Sequence, residues 1–128
     1  MKKFIGILIT GASSGVGEAL ALHYATQDAT LFLSGRNKER LDAVAEQCRT
    51  RGAVVFPEVL DVTNETGMAD WIRQCEDHHP LDLVIANAGI SGGTSGGLDA
   101  ATREVFAANI DGVLNTVHPA LTGMRARQ

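Results

Sequence analysis

Three glycines lie close together near the start of the chain, in the segment TGASSGVG at residues 10–17. Gly11, Gly15 and Gly17 come between an apolar run and a helical pattern. Glycine lets the backbone turn sharply and approach a ligand with no Cβ in the way, and the free amides at a helix start attract phosphate. Ser13 and Ser14 add hydroxyl donors. The spacing GxxxGxG differs from the dinucleotide fingerprint GxGxxG, so the segment predicts either a pyrophosphate cradle or a glycine-rich turn without a ligand.

A basic residue follows the second predicted strand, in the segment LSGRN. A dinucleotide fold that binds NAD usually has Asp or Glu here to bond the ribose 2′-hydroxyl. This segment has no carboxylate, whereas Arg36 can pair with a 2′-phosphate, assisted by Ser34 or Asn37. NADP(H) is therefore the favoured cofactor. The alternative is that Arg36 belongs to the solvated start of the next helix, alongside Lys38 and Arg40.

Two more groups of polar and small residues follow the third and fourth predicted strands, namely Asp61-Val62 and Asn87-Ala88-Gly89. On residue type alone, Asp61 is either a ligand contact or a turn residue at a helix entry. Asn87 can satisfy backbone groups between neighbouring strands, and that role does not exclude contact with a ligand.

The elements that position these residues alternate between strand and helix. Strands are predicted at 4–10, 30–34, 53–56 and 81–86, and helices at 15–27, after Asn37, after Asn64 and from 98 onward. Asn37 and Asn64 are expected N-caps. A flexible loop is predicted at 91–97, and Pro119 is expected to bend the last helix.

Apolar stripes at helical spacing accompany each predicted helix. They consist of Val16, Ala19, Leu20, His23 and Tyr24; Leu41, Val44, Ala45 and Cys48; Met68, Trp71, Ile72 and Cys75; and Val105, Phe106, Ile110, Val113, Leu114 and Val117. Alternating strands and helices with short links indicate parallel βαβ units. We therefore predict an α/β fold, a Rossmann-like doubly wound parallel sheet in the order 3-2-1-4. Pro57 places the third strand at an edge.

Composition excludes several classes of protein. The 128 residues suffice for one domain, 1–128, and a net charge of −4 without charged blocks argues against nucleic acid or membrane partners. No apolar run reaches the ~18 residues of a membrane span. Cys48 and Cys75 fall on helical stripes and are interpreted as small hydrophobes in a reducing cytoplasm. No cysteine or histidine spacing supports a metal site.

Taken together, these motifs resemble the short-chain dehydrogenase/reductase family. TGASSGVG is similar to its TGxxxGxG signature, Asp61-Val62 to its adenine-contacting pair, and Asn87-Ala88-Gly89 to its structural and ribose-contacting motif. Asn109 lies where the family carries a catalytic asparagine. The resemblance implies cofactor contacts through Gly11, Ser13, Ser14, Gly15, Val16, Gly17, Arg36, Asp61, Val62, Asn87, Ala88 and Gly89. It implies hydride transfer between the nicotinamide and a small carbonyl or alcohol substrate.

The acid–base centre that the resemblance implies is missing from these 128 residues. Family members use a tyrosine, a lysine four residues later and a serine, but Tyr24 is the one tyrosine and Asp28 follows it by four. The lysines Lys2, Lys3 and Lys38 are not suitably placed. We therefore expect a fold truncated before its fifth strand and a chain inactive alone. The unpaired edge of the fourth strand predicts a homo-oligomer.

Three hypotheses remain at this point. The first is the N-terminal part of a cytoplasmic NADP-dependent reductase. The second is a catalytically inactive, truncated module that binds NADP(H) or pairs with a relative. The third, an interaction domain whose glycine loop binds nothing, is disfavoured by Arg36, Asp61, Asn87 and Asn109 occurring together.

Overall fold

The computed structural model describes residues 4–89 and 100–127. The strands are β1 (Gly6–Ile9), β2 (Thr30–Gly35), β3 (Val54–Val59) and β4 (Leu83–Ile85). The helices are α1 (Gly15–Tyr24), α2 (Lys38–Thr50), α3 (Glu65–His78), α4 (Ala100–Phe106) and α5 (Gly112–Ala126), with a π-helical turn at Ala107–Asp111. The loop predicted at 91–97 lies outside the described residues.

The four strands form one parallel sheet in the order β3-β2-β1-β4, which confirms the predicted doubly wound topology. Leu8 of β1 is in register with Phe32 of β2 and with Val84 of β4. β3 is an edge strand, as Pro57 predicts. The strand order therefore reverses at β1, whose carboxyl end adjoins the crevice between β2 and β4.

Each face of the sheet carries two helices, because alternate strand side chains point to opposite faces. Ile7, Ile9 and Leu31 pack with the inner sides of α1 and α2. Leu8 and Phe32 pack on the other face with α3 and α5. The doubly wound architecture follows from these two separate apolar clusters.

The predictions for α2 and α3 are confirmed. Their stripes are buried, consisting of Leu41, Val44, Ala45 and Cys48, and of Met68, Trp71, Ile72 and Cys75. Asn37 Oδ1 accepts a hydrogen bond from Arg40 N at 3.0 Å, and Asn64 Oδ1 accepts one from Gly67 N at 2.9 Å. Both cysteines are free and buried, and burial raises the pKa of Cys75 to about 12. They behave as the small hydrophobes expected.

The prediction for α1 is partly wrong. The helix ends at Tyr24 rather than at 27, and its buried residues are Gly17 and Ala21. Val16 is 67% exposed. Leu20 and Tyr24 of the predicted stripe are half-buried and pack against the core. Position 17 admits only glycine, because a Cβ there would lie 1.9 Å from Gly11 O.

The stripe predicted for the last helical region is also partly wrong, since Val105, Val113 and Val117 are only half-buried and its other members are exposed. Phe106, Ile110 and Leu114 are 57%, 50% and 59% exposed. The buried residues are small or weakly polar, namely Ala108, Gly112, Thr116 and Ala120. The reason is close packing, since a Cβ on Gly112 would lie 2.5 Å from Val62 Cγ2. Pro119 lies inside α5, which continues to Ala126.

Candidate functional site

A cleft of about 290 Å³ lies at the carboxyl ends of the strands, where the strand order reverses. It brings together nine of the predicted site residues, namely Gly11, Ser13, Ser14, Arg36, Asp61, Val62, Asn87, Ala88 and Gly89. Its other lining residues are Ser34, Gly35, Asn37, Arg40, Leu60 and Ala108. Gly15, Val16 and Gly17 are not part of its lining.

The glycines of the loop have different physical reasons to be glycine. Gly11 has a φ of +65°, and a Cβ there would lie 2.7 Å from Ala88 Cα. Gly15 has a φ of +58° but no atom within 4 Å of its Cβ position, so only its conformation requires glycine. Gly17 permits the close contact between α1 and Gly11 described above. The loop is thus held tightly against Asn87-Ala88 while its outer turn stays open.

The start of α1 presents unused hydrogen-bond donors. Ser14 is the N-cap in extended conformation, and its side chain makes no capping hydrogen bond. The first amides of a helix have no intrahelical partners, and the helix dipole favours an anion there. With the adjacent Ser13, this end of α1 is suited to a phosphate group.

A buried threonine connects the glycine loop to β4. Thr10 is 1% exposed, and its Oγ1 accepts hydrogen bonds from Asn87 N and Ala88 N, each at 3.1 Å. Asn87 Nδ2 in turn donates to Gly11 O at 3.2 Å. Ala12 N donates to Ser34 O at 2.9 Å, which links the same loop to β2. Asn87 therefore has the backbone role expected of it, and Thr10 fixes the cleft's shape.

Asp61 is held in a turn at the cleft wall. Its Oδ1 accepts hydrogen bonds from Thr63 N at 2.9 Å and from Thr63 Oγ1 at 2.7 Å. The Thr63 amide chiefly, together with the Thr63 hydroxyl and the charge of Arg36, lowers the pKa of Asp61 against the opposing effect of burial. The turn role proposed for Asp61 is present, and its carboxylate also faces the cleft near Arg36.

Ser34 gives the cleft an unsatisfied polar atom. The residue is 0% exposed, and its Oγ has no hydrogen-bond partner. Buried polar groups are nearly always paired, because an unpaired hydroxyl costs about 1–3 kcal/mol. The Ser34 hydroxyl is not accessible to a ligand, whereas the Ser13 and Ser14 hydroxyls and the Arg36 guanidinium line the cleft and fit a phosphorylated nucleotide.

Asn109 lies beside the cleft rather than in its lining. It belongs to the π-helical turn Ala107–Asp111, and a Cβ on Gly89 would lie 2.7 Å from Asn109 Oδ1. Its neighbour Ala108 is buried and lines the cleft. Sequence periodicity gave no signal for this turn, although π-helical turns are frequent at functional sites.

Several lining residues were missed or undervalued by sequence reasoning. Arg40 was assigned only to a solvated helix start, and Leu60 and Ala108 were not considered. Each stands within four residues of a predicted site residue, which is the signal that points to them. Over the described ranges 4–89 and 100–127, no helix has the length and apolarity to cross a membrane, and no three His, Cys, Asp or Glu side chains are grouped as metal ligands.

A glycine loop at the switch point of a doubly wound parallel sheet is typical of dinucleotide-binding proteins. The family model for short chain dehydrogenases matches residues 6–128. The chain therefore belongs to the short-chain dehydrogenase family. Family and fold together imply a nicotinamide cofactor.

Relatives and solved structures agree with this assignment. An uncharacterized oxidoreductase of Myxococcus xanthus is 40% identical over 69% of this chain and 35% of that protein. A gluconate 5-dehydrogenase of Gluconobacter oxydans is 39% identical over 65% of this chain and 33% of its own length. The crystal structure of a 3-ketoacyl-ACP reductase from Sinorhizobium meliloti matches with a TM-score of 0.86 and 32% identity, over 94% of this chain and 49% of that one. The chain thus spans about a third of these relatives and about half of this structure.

Proposed function

We propose that this chain is the cofactor-binding part of an NADP(H)-dependent oxidoreductase that transfers hydride to or from a small carbonyl or alcohol carbon. The observation that supports NADP(H) is the position of Arg36 in the cleft wall after β2. Among the described residues, its side chain has no hydrogen bond or ion pair, and residues 33–37 contain no carboxylate. An arginine in this position is suited to a 2′-phosphate.

Each predicted site residue has a role in this proposal. The start of α1 holds the pyrophosphate through loop residues Gly11, Ser13, Ser14, Gly15, Val16 and Gly17. Asp61 and Val62 contact the adenine, and Asn87, Ala88 and Gly89 contact the ribose next to the nicotinamide. The nicotinamide supplies or accepts the hydride when it is bound.

The proton transfer that accompanies hydride movement needs further groups. By resemblance to the family, Asn109 holds a water of the proton relay. The proposal assigns the family's serine, tyrosine and lysine to sequence outside these 128 residues. Tyr24 is not that tyrosine, because it lies in α1, packs against the core and makes an edge contact with His23 at 5.0 Å.

Titration calorimetry with NADPH and NADH tests the cofactor assignment. We expect NADPH to bind about 10- to 100-fold more tightly, the range for charge-assisted hydrogen bonds. Arg36→Ala should remove most of this preference. Arg73→Ala is the matched control, because Arg73 is exposed on α3 and pairs with Asp70 at 2.9 Å. Equal affinities in the unsubstituted chain would contradict the NADP(H) assignment.

The second candidate is an inactive module that binds NADP(H) or serves as an interaction domain. The location of Tyr24 favours this candidate, because the tyrosine of these 128 residues packs against the core and not at the cleft. Both candidates share the cleft and differ in turnover. We expect no oxidation of NADPH when the 128-residue chain is incubated with small aldehydes and ketones. A measurable rate would show that these residues include an acid–base centre we have not identified.

We further propose a cytoplasmic homo-oligomer that acts on small molecules and not on nucleic acid or membranes. The two free, buried thiols suit a reducing compartment. The exposed apolar residues Phe106, Ile110 and Leu114 suit contact with another protein surface. Light scattering tests the assembly, and a monomer at micromolar concentration would contradict it.

A further inference from the structure

A second groove lies next to the main cleft, and Arg40 lines both of them. This groove, of about 320 Å³, lies between the start of α1 and the first turns of α2. Its lining residues are Ser13, Ser14, Glu18, Arg40, Ala43 and Val44. Arg40, Ser13 and Ser14 line both the groove and the cleft. Arg40 therefore borders the glycine loop, although it comes from a different element.

Arg40 differs from the other basic side chains of α2. Lys38 pairs with Asp42, and Arg49 pairs with Glu46 and donates to Val55 O at 2.9 Å. Among the described residues, the guanidinium of Arg40 has no such partner. Its backbone amide is used, since it donates to Asn37 Oδ1 at 3.0 Å and so fixes the first turn of α2. The turn is anchored while the charge remains available to a ligand.

A separate observation indicates that the ligand here is an oxyanion. The guanidinium of Arg40 lines the cleft beside the Ser13 and Ser14 hydroxyls. Arg36 is also without a hydrogen bond or ion pair within the described part of the chain. Two available guanidinium groups in one cleft match the needs of a phosphate monoester, which accepts several charge-assisted hydrogen bonds.

We infer that Arg40 is a second specificity-determining residue, which holds the 2′-phosphate of NADP(H) together with Arg36. This inference rests on the proposed function and deepens it. The glycine loop contributes the hydroxyls of Ser13 and Ser14 but no positive charge, and Arg40 supplies a charge beside them from α2. The charge of Arg36 is shared with Asp61, whose pKa it helps to lower, so a dianionic phosphate gains from a second cation.

Two nucleotides that differ in the 2′-phosphate provide the test. Calorimetry at constant ionic strength compares 2′,5′-ADP, which carries it, with 5′-AMP, which does not. Arg40→Ala should weaken 2′,5′-ADP about tenfold, as expected for loss of one charge-assisted contact, and change 5′-AMP by less than about twofold. Arg40→Lys should recover part of the loss. Lys38→Ala, the matched loss of one charge on the same helix outside the cleft, should change neither nucleotide by more than about twofold.

The possible outcomes separate the inference from the proposed function. If the unsubstituted chain prefers 2′,5′-ADP and Arg40→Ala behaves like Lys38→Ala, the inference is overturned and the NADP(H) proposal stands. If neither nucleotide binds the unsubstituted chain, the proposed function fails first. Thermal unfolding of each variant shows that it is folded. If Arg40→Ala has a lower melting temperature than the unsubstituted chain, the same nucleotide comparison is made with Arg40→Gln, which keeps a long polar side chain without the charge.

Discussion

The region around β1, β2 and the glycine loop, called the cleft side below, is packed differently from the region around β4 and α5, called the β4–α5 side. Around β1 and β2 nearly every strand residue is buried, and backbone groups of three strands are joined through Thr10, Gly11 and Ala12. All three residues of β4 are only half-buried, and α5 exposes Leu114 at 59%. The two central strands are therefore covered on both faces, whereas the β4–α5 side presents apolar surface suited to further contacts.

Glycine substitutions should give the largest contrast between the two sides. A Cβ on Gly17 would meet backbone atoms, with Gly11 O at 1.9 Å, whereas one on Gly123 would meet the Glu76 side chain, with Cδ at 2.7 Å. We expect Gly17→Ala to lower the free energy of unfolding by about 3 kcal/mol, because backbone cannot move aside. Gly123→Ala should change it by less than about 1 kcal/mol, because helix propensity offsets the contact. Urea denaturation measures both, and equal losses would break the comparison.

Removing the hydroxyl of Thr10 tests whether hydrogen bonds hold the cleft side together. Thr10→Val keeps the shape but leaves the amides of Asn87 and Ala88 without their acceptor. We expect a loss of about 2 kcal/mol in the free energy of unfolding, the cost of unpaired buried groups. Thr10→Ser keeps the acceptor and should lose about 1 kcal/mol, from the missing methyl group. If Thr10→Ser and Thr10→Val lower the free energy of unfolding equally, packing rather than hydrogen bonding holds the loop.

On the other side, Arg127 provides a smaller test. It pairs with Glu76 of α3 and donates to Leu81 O at 2.6 Å, so it joins the end of α5 to the segment before β4. Arg127→Ala should lower the free energy of unfolding by about 1 kcal/mol, because the pair is partly solvated. Arg125→Ala, an exposed change in the same turn, should stay within about 0.5 kcal/mol. A loss as large as that of Thr10→Val would show that the two sides are equally dependent on polar contacts.

The smallest expected effect is a pH dependence confined to the cleft side. The Thr63 amide, Thr63 hydroxyl and Arg36 place the pKa of Asp61 in the folded protein below its ordinary value of 3.8. The charged form therefore adds stability above that value, and this stability is lost as pH falls through the lowered pKa. As pH falls below about 4, stability should fall less steeply in Asp61→Asn than in the unsubstituted chain. Acid titration followed by circular dichroism checks this, and parallel curves would assign the acid sensitivity to other carboxylates.

Sequence reasoning reached the sheet order and two helix caps because those features depend on local patterns. Alternating strand and helix signals imply βαβ units, and Asn37 and Asn64 each accept a hydrogen bond from the amide three residues further on, in the first turn of the helix that follows. It failed at α5 because periodicity identifies an apolar face but not which face a neighbour will cover. Phe106 and Ile110 satisfied the helical spacing, while Gly112 and Thr116 took the buried positions.

The site was foreseen to the extent that its residues are close to the strand ends. The role of Thr10 depends on amides from β4, and the position of Arg40 depends on how α2 packs beside the glycine loop. Neither relation exists between neighbours in the sequence. Such contacts between distant segments are the part of a binding site that one sequence does not reveal.

The Thr10 contacts also determine when the cleft comes into existence. The partner amides of Asn87 and Ala88 are 77 and 78 residues further along the chain. At a synthesis rate of about 5–20 residues per second, the glycine loop leaves the ribosome about 4–15 s before its partners are made. During that interval the segment that follows β4 has not been made, so the loop lacks the amides that hold it. Contacts between such distant residues also form slowly. The loop is therefore among the first segments to be made and among the last to acquire its working geometry.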